Sequence, residues 1–230
     1  MQSMAMFGML LAGLFPMVAI AQTPASDAKP SEIQQPPSPD PAASDMRPVA
    51  VGDHWTYLSR DNLTGDLIGE FTQTVTDVGN TDVSVSVKWL GQGIPSYSVF
   101  DQLWNVKSTN IAKFEPNDGT GVNSTMKISD SWNSKASDIR SSQTLWKRAE
   151  TSKVIGQESV TTSAGTFNAI KYETVINIRG AIDPSQKATV TTTTWWVPEI
   201  NHWVKRSEKT FKDKQVKSNW TVELTDFGRS

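Results

Sequence analysis

The stretch Asp82-Val83-Ser84-Val85-Ser86-Val87-Lys88-Trp89 constrains the fold most. Val83, Val85, Val87 and Trp89 share one parity; Ser84, Ser86 and Lys88 share the other. A helix would scatter these residues around its circumference, whereas a pleated strand puts all four apolar side chains on one face. One apolar and one polar face describe a half-buried antiparallel strand. The parity recurs in Trp55 and Tyr57, in Ile170, Tyr172, Thr174, Ile176 and Ile178, and in Trp220, Val222 and Leu224. Val190 to Trp196 is threonine-rich, and β-branched side chains suit a pleated surface.

Between these runs lie turn sequences: Asp61 to Asp66, Gly79-Asn80, Ser163-Ala164-Gly165 and Asp183 to Gln186. Gly165 is read as a structural turn residue at a position where a Cβ is unfavourable. Short strands joined in series by tight turns predict an all-β domain. It is an antiparallel β-barrel, half-barrel or sandwich of about nine to eleven strands. Residues 91–125 are less regular. The spacing of Tyr97, Phe100 and Trp104 suits a short helix as well as a strand. Met126, Ile128 and Trp132 read as the start of the next strand pair.

This domain spans residues 48–230. Residues 7–20 form an uncharged apolar run ending in Ala19-Ile20-Ala21, so residues 1–21 read as a secretory signal peptide. The run is too short for a spanning helix, and the expected product starts at Gln22 without a transmembrane segment. Residues 22–47 hold six prolines among small and polar residues and read as a Pro-rich linker that buries too little apolar surface to fold. The composition thus points to a periplasmic or secreted protein. No cysteine is present, which excludes disulfides and thiolate metal sites. From Pro48 onward 20 acidic and 20 basic side chains balance, which argues against nucleic acid as a partner. The one local excess, Lys205 to Lys217 with six basic and two acidic residues, reads as a solvated hairpin end.

The stretch WWVPEINHWVKR, 195–206, concentrates three tryptophans and one of two histidines. Trp195 and Trp196 point to opposite faces of a regular strand. Pro198 cannot donate to a ladder and ends it. Asn201 suits a positive φ in the following turn, and Trp203 begins the return strand. Such a hairpin accounts for every residue. The sharper alternative makes His202 a general base or ligand group. Only His54 is available to help it, so neither a metal site nor a catalytic set is expected, and no motif of a known hydrolase or nucleotide-binding loop occurs.

Two segments, GQESVTTSAGTFNAIKYE at 156–173 and TWWVPEINHWVKR at 194–206, resemble an exported bacterial β-rich family grouped as DUF3108-type domains; VGDHWTY at 51–57 looks like the start of the same domain. Ser163 stands where that family has proline, and Trp196 where it has tyrosine. The resemblance implies a β-rich fold, export to the envelope and no catalytic residues. In outline it is similar to periplasmic half-barrels that carry lipoproteins or lipids.

Nine tryptophans exceed what a small core needs, and aromatic walls often line ligand cavities. The reading is therefore a periplasmic, non-enzymatic module that binds an apolar or amphipathic, lipid-like ligand. The ligand-wall candidates are Trp195, Tyr172, Trp220 and His202, and no cofactor is expected. The alternative is an envelope structural or protein-interaction domain with no small-molecule ligand, its partner another envelope protein.

Overall fold

The alternation carries through the chain. A computed structural model describes residues 46–230; the predicted leader and most of the linker lie outside them. Twelve strands follow one another: β1 (His54–Asp61), β2 (Leu67–Val78), β3 (Asp82–Trp89), β4 (Ser96–Asp101), β5 (Val106–Thr109), β6 (Lys113–Glu115), β7 (Ser131–Arg140), β8 (Gln143–Thr162), β9 (Gly165–Gly180), β10 (Lys187–Val197), β11 (His202–Lys212) and β12 (Gln215–Gly228). Each pairs antiparallel with its sequence neighbours, and β1 pairs with both β2 and β12. The sheet is a closed up-and-down barrel, which removes both edges. Of the expected barrel, half-barrel or sandwich, the closed barrel is the one formed, with twelve strands rather than nine to eleven.

The additional strands come from the irregular region. No helix forms around Tyr97, Phe100 and Trp104. β3 needs a partner for its outer backbone groups, and β4 supplies it, with Phe100 opposite Val83 and Ser98 opposite Val85. Met126 and Ile128 do not begin a strand. Met126 and Ser129 have φ of 46° and 74°, outside the extended region, and the strand starts at Ser131.

A barrel of this size has a wide lumen, and large side chains are needed to fill it. That is where many of the tryptophans go. Trp55, Trp104 and Trp196 are buried with Tyr57, Tyr172, Val85, Val204 and Leu224 in one cluster, and Trp132, Trp203 and Trp220 pack against it. Burying an aliphatic member such as Leu224 stabilises by roughly 1.5–3 kcal/mol.

The chain also fills the lumen with its own backbone. Residues 118–122 are buried. The Asp118 and Val122 amides donate to the carbonyls of Val106 and Leu103, and Gly121 donates to Asn105 Oδ1. The inward-pointing Tyr172 donates to Thr120 O at 3.4 Å. A Cβ on Gly119 would fall 1.7 Å from Ser134 Oγ. One on Gly121 would fall 2.1 Å from Leu103 O, so only glycine fits there. The plug enters where the wall is thinnest: β5 and β6 share a single register pair, Ser108 with Lys113.

The meander gives the barrel two distinct ends. The terminal end gathers residue 46, residue 230, the plug and the turns after β2, β4, β8 and β10. Met46 and Val49 pack on the core there, and Asn201 Nδ2 donates to Arg47 O at 2.8 Å. Arg229 bridges to the fully buried Asp53 at 3.2 Å. The distal end carries the six turns after the odd-numbered strands up to β11.

Candidate functional site

The tryptophan-rich hairpin is built as its residues dictate. β10 stops at Val197, Pro198–Ile200 form one 3-10 turn, and Asn201 takes φ 46°, ψ 43°. Gly165, between β8 and β9, takes φ 135°; a Cβ there would meet only Phe167 at 3.8 Å, so the demand for glycine is conformational. Trp196 and Trp203 are register partners, but a register shift beside Trp196 turns their rings to different neighbours. Trp203 stacks on Tyr57 with centroids 3.8 Å apart.

The four ligand-wall candidates occupy separate places. Trp195 lies on the outer wall. Its indole N–H donates to Glu158, and Lys171 and Lys205 sit 5.1 and 5.5 Å from its ring. Tyr172 points into the lumen, 2 % exposed, with its ring 5.8 Å from Trp132. Burial raises its hydroxyl pKa. Trp220 is half-buried and opposite Asp61 and Glu208.

His202 is 2 % exposed and sandwiched in the aromatic cluster, stacked on Trp55 at 4.3 Å and edge-on to Trp104 at 4.5 Å. Tyr57 Oη lies 2.6 Å from His202 Nδ1 and 2.9 Å from the Trp203 carbonyl. The carbonyl can only accept, so Tyr57 donates to it and His202 Nδ1–H donates to the tyrosine oxygen. Burial pushes the imidazole pKa down to about 3. A neutral, walled-in histidine is a packing residue at neutral pH. Among the described residues no group of three or more His, Asp or Glu side chains is placed to hold a metal ion.

Below the aromatic layer the lumen turns polar. Arg206 and Glu208 share the inner face of β11 with Val204. They sit opposite Thr194 and Thr192 on one side and Val222 and Trp220 on the other. The 205–217 segment is therefore only partly the solvated hairpin its composition suggests, because strand parity turns these two charges inward. Arg148 donates to Glu150 at 2.9 Å, and Ser134 donates to the same carboxylate at 2.9 Å. Burial raises the Glu150 and Glu208 pKa values, against the lowering effect of Arg148 and Arg206.

An open concavity lies elsewhere, toward the distal end, beside β9, β10 and the β11–β12 turn. It is an open trough of about 830 Å³. Phe211, Asn177, Thr189 and Thr191 line it, and Arg179, Lys187, Lys214 and Asp213 supply its charge. Arg179 and Lys187 are direct cross-strand partners. Like charges in that relation destabilise a sheet, and among the described residues no ion pair offsets either of them. None of the four aromatic candidates lines this trough. A smaller concavity of about 310 Å³ lies beside Phe71, Lys88 and Trp89, also toward the distal end. The sequence carried one signal for the trough, a basic-rich hairpin end, but the register that opposes Arg179 to Lys187 is a tertiary fact.

No family model matches the chain, so the DUF3108-type likeness rests on the quoted segments. No curated protein matches it. Solved structures similar to it include three exported or lipoprotein-type proteins by their descriptions. One, described as a "putative lipoprotein" from Parabacteroides distasonis ATCC 8503, is 14% identical over 79% of this chain and 97% of that one, with a TM-score of 0.47. Another, described as a "putative exported protein with YmcC-like fold" from Bacteroides fragilis NCTC 9343, is 13% identical over 80% of this chain and 99% of that one, with a TM-score of 0.40. The third, described as the "hypothetical lipoprotein YmcC" from Escherichia coli K12, is 9% identical over 80% of this chain and 88% of that one, with a TM-score of 0.43. Likenesses this distant say nothing of what this chain binds.

Proposed function

We propose that this is an exported, non-enzymatic β-barrel module that binds an amphipathic ligand with an anionic head in the distal trough. Export is read from the apolar run and Ala19-Ile20-Ala21. The ligand reading rests on one observation, the unpaired like-charge couple Arg179–Lys187 in a trough that Phe211 also lines. An anionic head between guanidinium and ammonium relieves their repulsion, and the guanidinium offers a bidentate fork. An alkyl tail then covers the adjacent Phe211 ring. The trough lies within the roughly 300–1,000 Å³ range of small-ligand sites.

The test uses protein beginning at Gln22, which retains every described residue. It is titrated calorimetrically with dodecyl phosphate and with dodecyltrimethylammonium, both below micelle formation. Saturable one-to-one binding of the phosphate alone, weakened about tenfold or more by Arg179→Gln through loss of one charged hydrogen-bonding partner, supports the reading. Equal binding of both amphiphiles, or of neither, refutes it.

A further inference from the structure

The barrel is electrically polarised along its axis, although its net charge is balanced. The distal segments 59–69, 87–97, 108–114, 138–148, 178–188 and 209–219 hold twelve basic and five acidic side chains. The terminal-end segments 46–56, 75–85, 99–106, 115–132, 155–172, 196–204 and 224–230 hold ten acidic and four basic. The first set is thus net +7 and the second net −6.

The same distal end carries exposed aliphatic tips. Leu63 on the β1–β2 turn is 61% exposed, Leu90 and Ile94 between β3 and β4 are 77% and 85%, and Ile182 on the β9–β10 turn is 85%. Ile111 on the β5–β6 turn and Val216 beside the β11–β12 turn are exposed as well. Four of the six distal turns thus present a large apolar side chain to water, and Val216 flanks a fifth. The terminal-end segments also expose Val51, Val78, Ile128 and Ile155, but amid an acidic excess.

From this coincidence we infer that the distal end docks on an anionic lipid bilayer, with the aliphatic tips entering the headgroup layer and the surrounding lysines and arginines meeting lipid phosphates. Each half of the feature has its counterpart in that surface. Apolar tips gain by leaving water, and cations gain in the negative surface potential within a Debye length. A protein partner would have to match apolar tips and dispersed charge at five separate turns, whereas a fluid bilayer adapts to all of them. Arg60 and Lys88 fit the role: both are exposed, and neither forms an ion pair among the described residues. This surface is wider than the trough and does not depend on its being a ligand site.

The experiment is co-sedimentation of protein beginning at Gln22 with phosphatidylcholine vesicles, with and without phosphatidylglycerol. Binding only to the phosphatidylglycerol vesicles, weakening as salt rises, is expected. Two variants remove the two components separately: L63S/L90S/I94S the tips, R60E/K88E the charge. Each is expected to lower partitioning about tenfold or more, since each basic side chain near such a surface contributes about a fivefold factor. The terminal-end variant V51S/I128S should bind like the wild type. All the altered side chains are exposed, so thermal midpoints should be preserved and will be measured alongside. Absence of binding to anionic vesicles, insensitivity to both variants, or equal loss in V51S/I128S overturns the inference, as does capture of a protein through the distal end by chains that ignore vesicles. None of the five distal residues changed lines the trough around Arg179, so failure here is separable from failure of the amphiphile titration.

Discussion

Arg179 on β9 and Lys187 on β10 face each other directly across an antiparallel pair, in a trough that Phe211 also lines. Two cations placed so close work against the hairpin that holds them. Asp183, in the connecting turn, does not relieve them: it accepts instead from Ser185 and Gln186, which hold its carboxyl pKa below the usual range. The proposed anionic head would relieve that repulsion.

The plug is expected to be an integral part of the fold. Gly121→Ala would place a methyl 2.1 Å from Leu103 O and 2.5 Å from Asn105 N, both backbone atoms that cannot swing away. The expected loss is about 3 kcal/mol or more, in line with overpacking against fixed neighbours. Denaturant unfolding measures it. A midpoint equal to the wild type would mean that residues 118–122 are not packed inside the wall.

Asn201 separates backbone from side-chain demand. Its φ of 46° is as comfortable for glycine. Its side chain, however, accepts from Trp104 Nε1 at 3.1 Å and donates to Arg47 O. Asn201→Gly keeps the turn and strands the buried indole N–H, so a loss of about 1–3 kcal/mol is expected rather than neutrality. Near-UV circular dichroism, which reports the Trp104 environment, should change with it. A neutral outcome would show that the turn geometry alone accounts for the residue.

His202 makes stability depend on pH with a definite sign. Its folded pKa is depressed to about 3 from 6.5. Between these values the unfolded chain binds a proton that the folded chain refuses, so stability falls as pH is lowered through 6.5 toward 3. The slope from this group approaches about 1.4 kcal/mol per pH unit. Glu150 and Glu208, with raised folded pKa values, act in the opposite direction above 4.5. The difference between wild type and His202→Gln, followed by urea midpoints from about pH 7 to about pH 5, isolates the histidine. The wild type should lose stability faster on acidification; parallel curves would mean that the imidazole is hydrated.

Much of the architecture was legible because strand parity is a local property. Val83 to Trp89, Ile170 to Ile178 and Trp220 to Leu224 each declared an inner face, and Val197–Pro198 and Asn201 declared where β10 stops and turns. The plug was not legible, since it falls within residues 91–125, which showed no regular pattern; Gly119 and Gly121 acquire their meaning only from what approaches them. The tryptophans suggested a ligand wall because the width of the lumen they fill follows from strand number, which the irregular 91–125 region obscured. The trough depends on register. A slip of one residue would set Arg179 against Ala188 and dissolve the feature.

The substitution Lys187→Glu tests the central claim most directly, because it should move stability and binding in opposite directions. It places a carboxylate opposite Arg179 and so turns a like-charge cross-strand pair into an opposite-charge one. The change should stabilise the ligand-free protein by roughly 0.2–1 kcal/mol while abolishing the affinity for dodecyl phosphate. Thermal unfolding with and without the amphiphile reads both effects on one sample: the variant should melt higher than the wild type alone and gain nothing when dodecyl phosphate is added. A variant that melts lower, or that is stabilised by dodecyl phosphate as much as the wild type, would contradict the account.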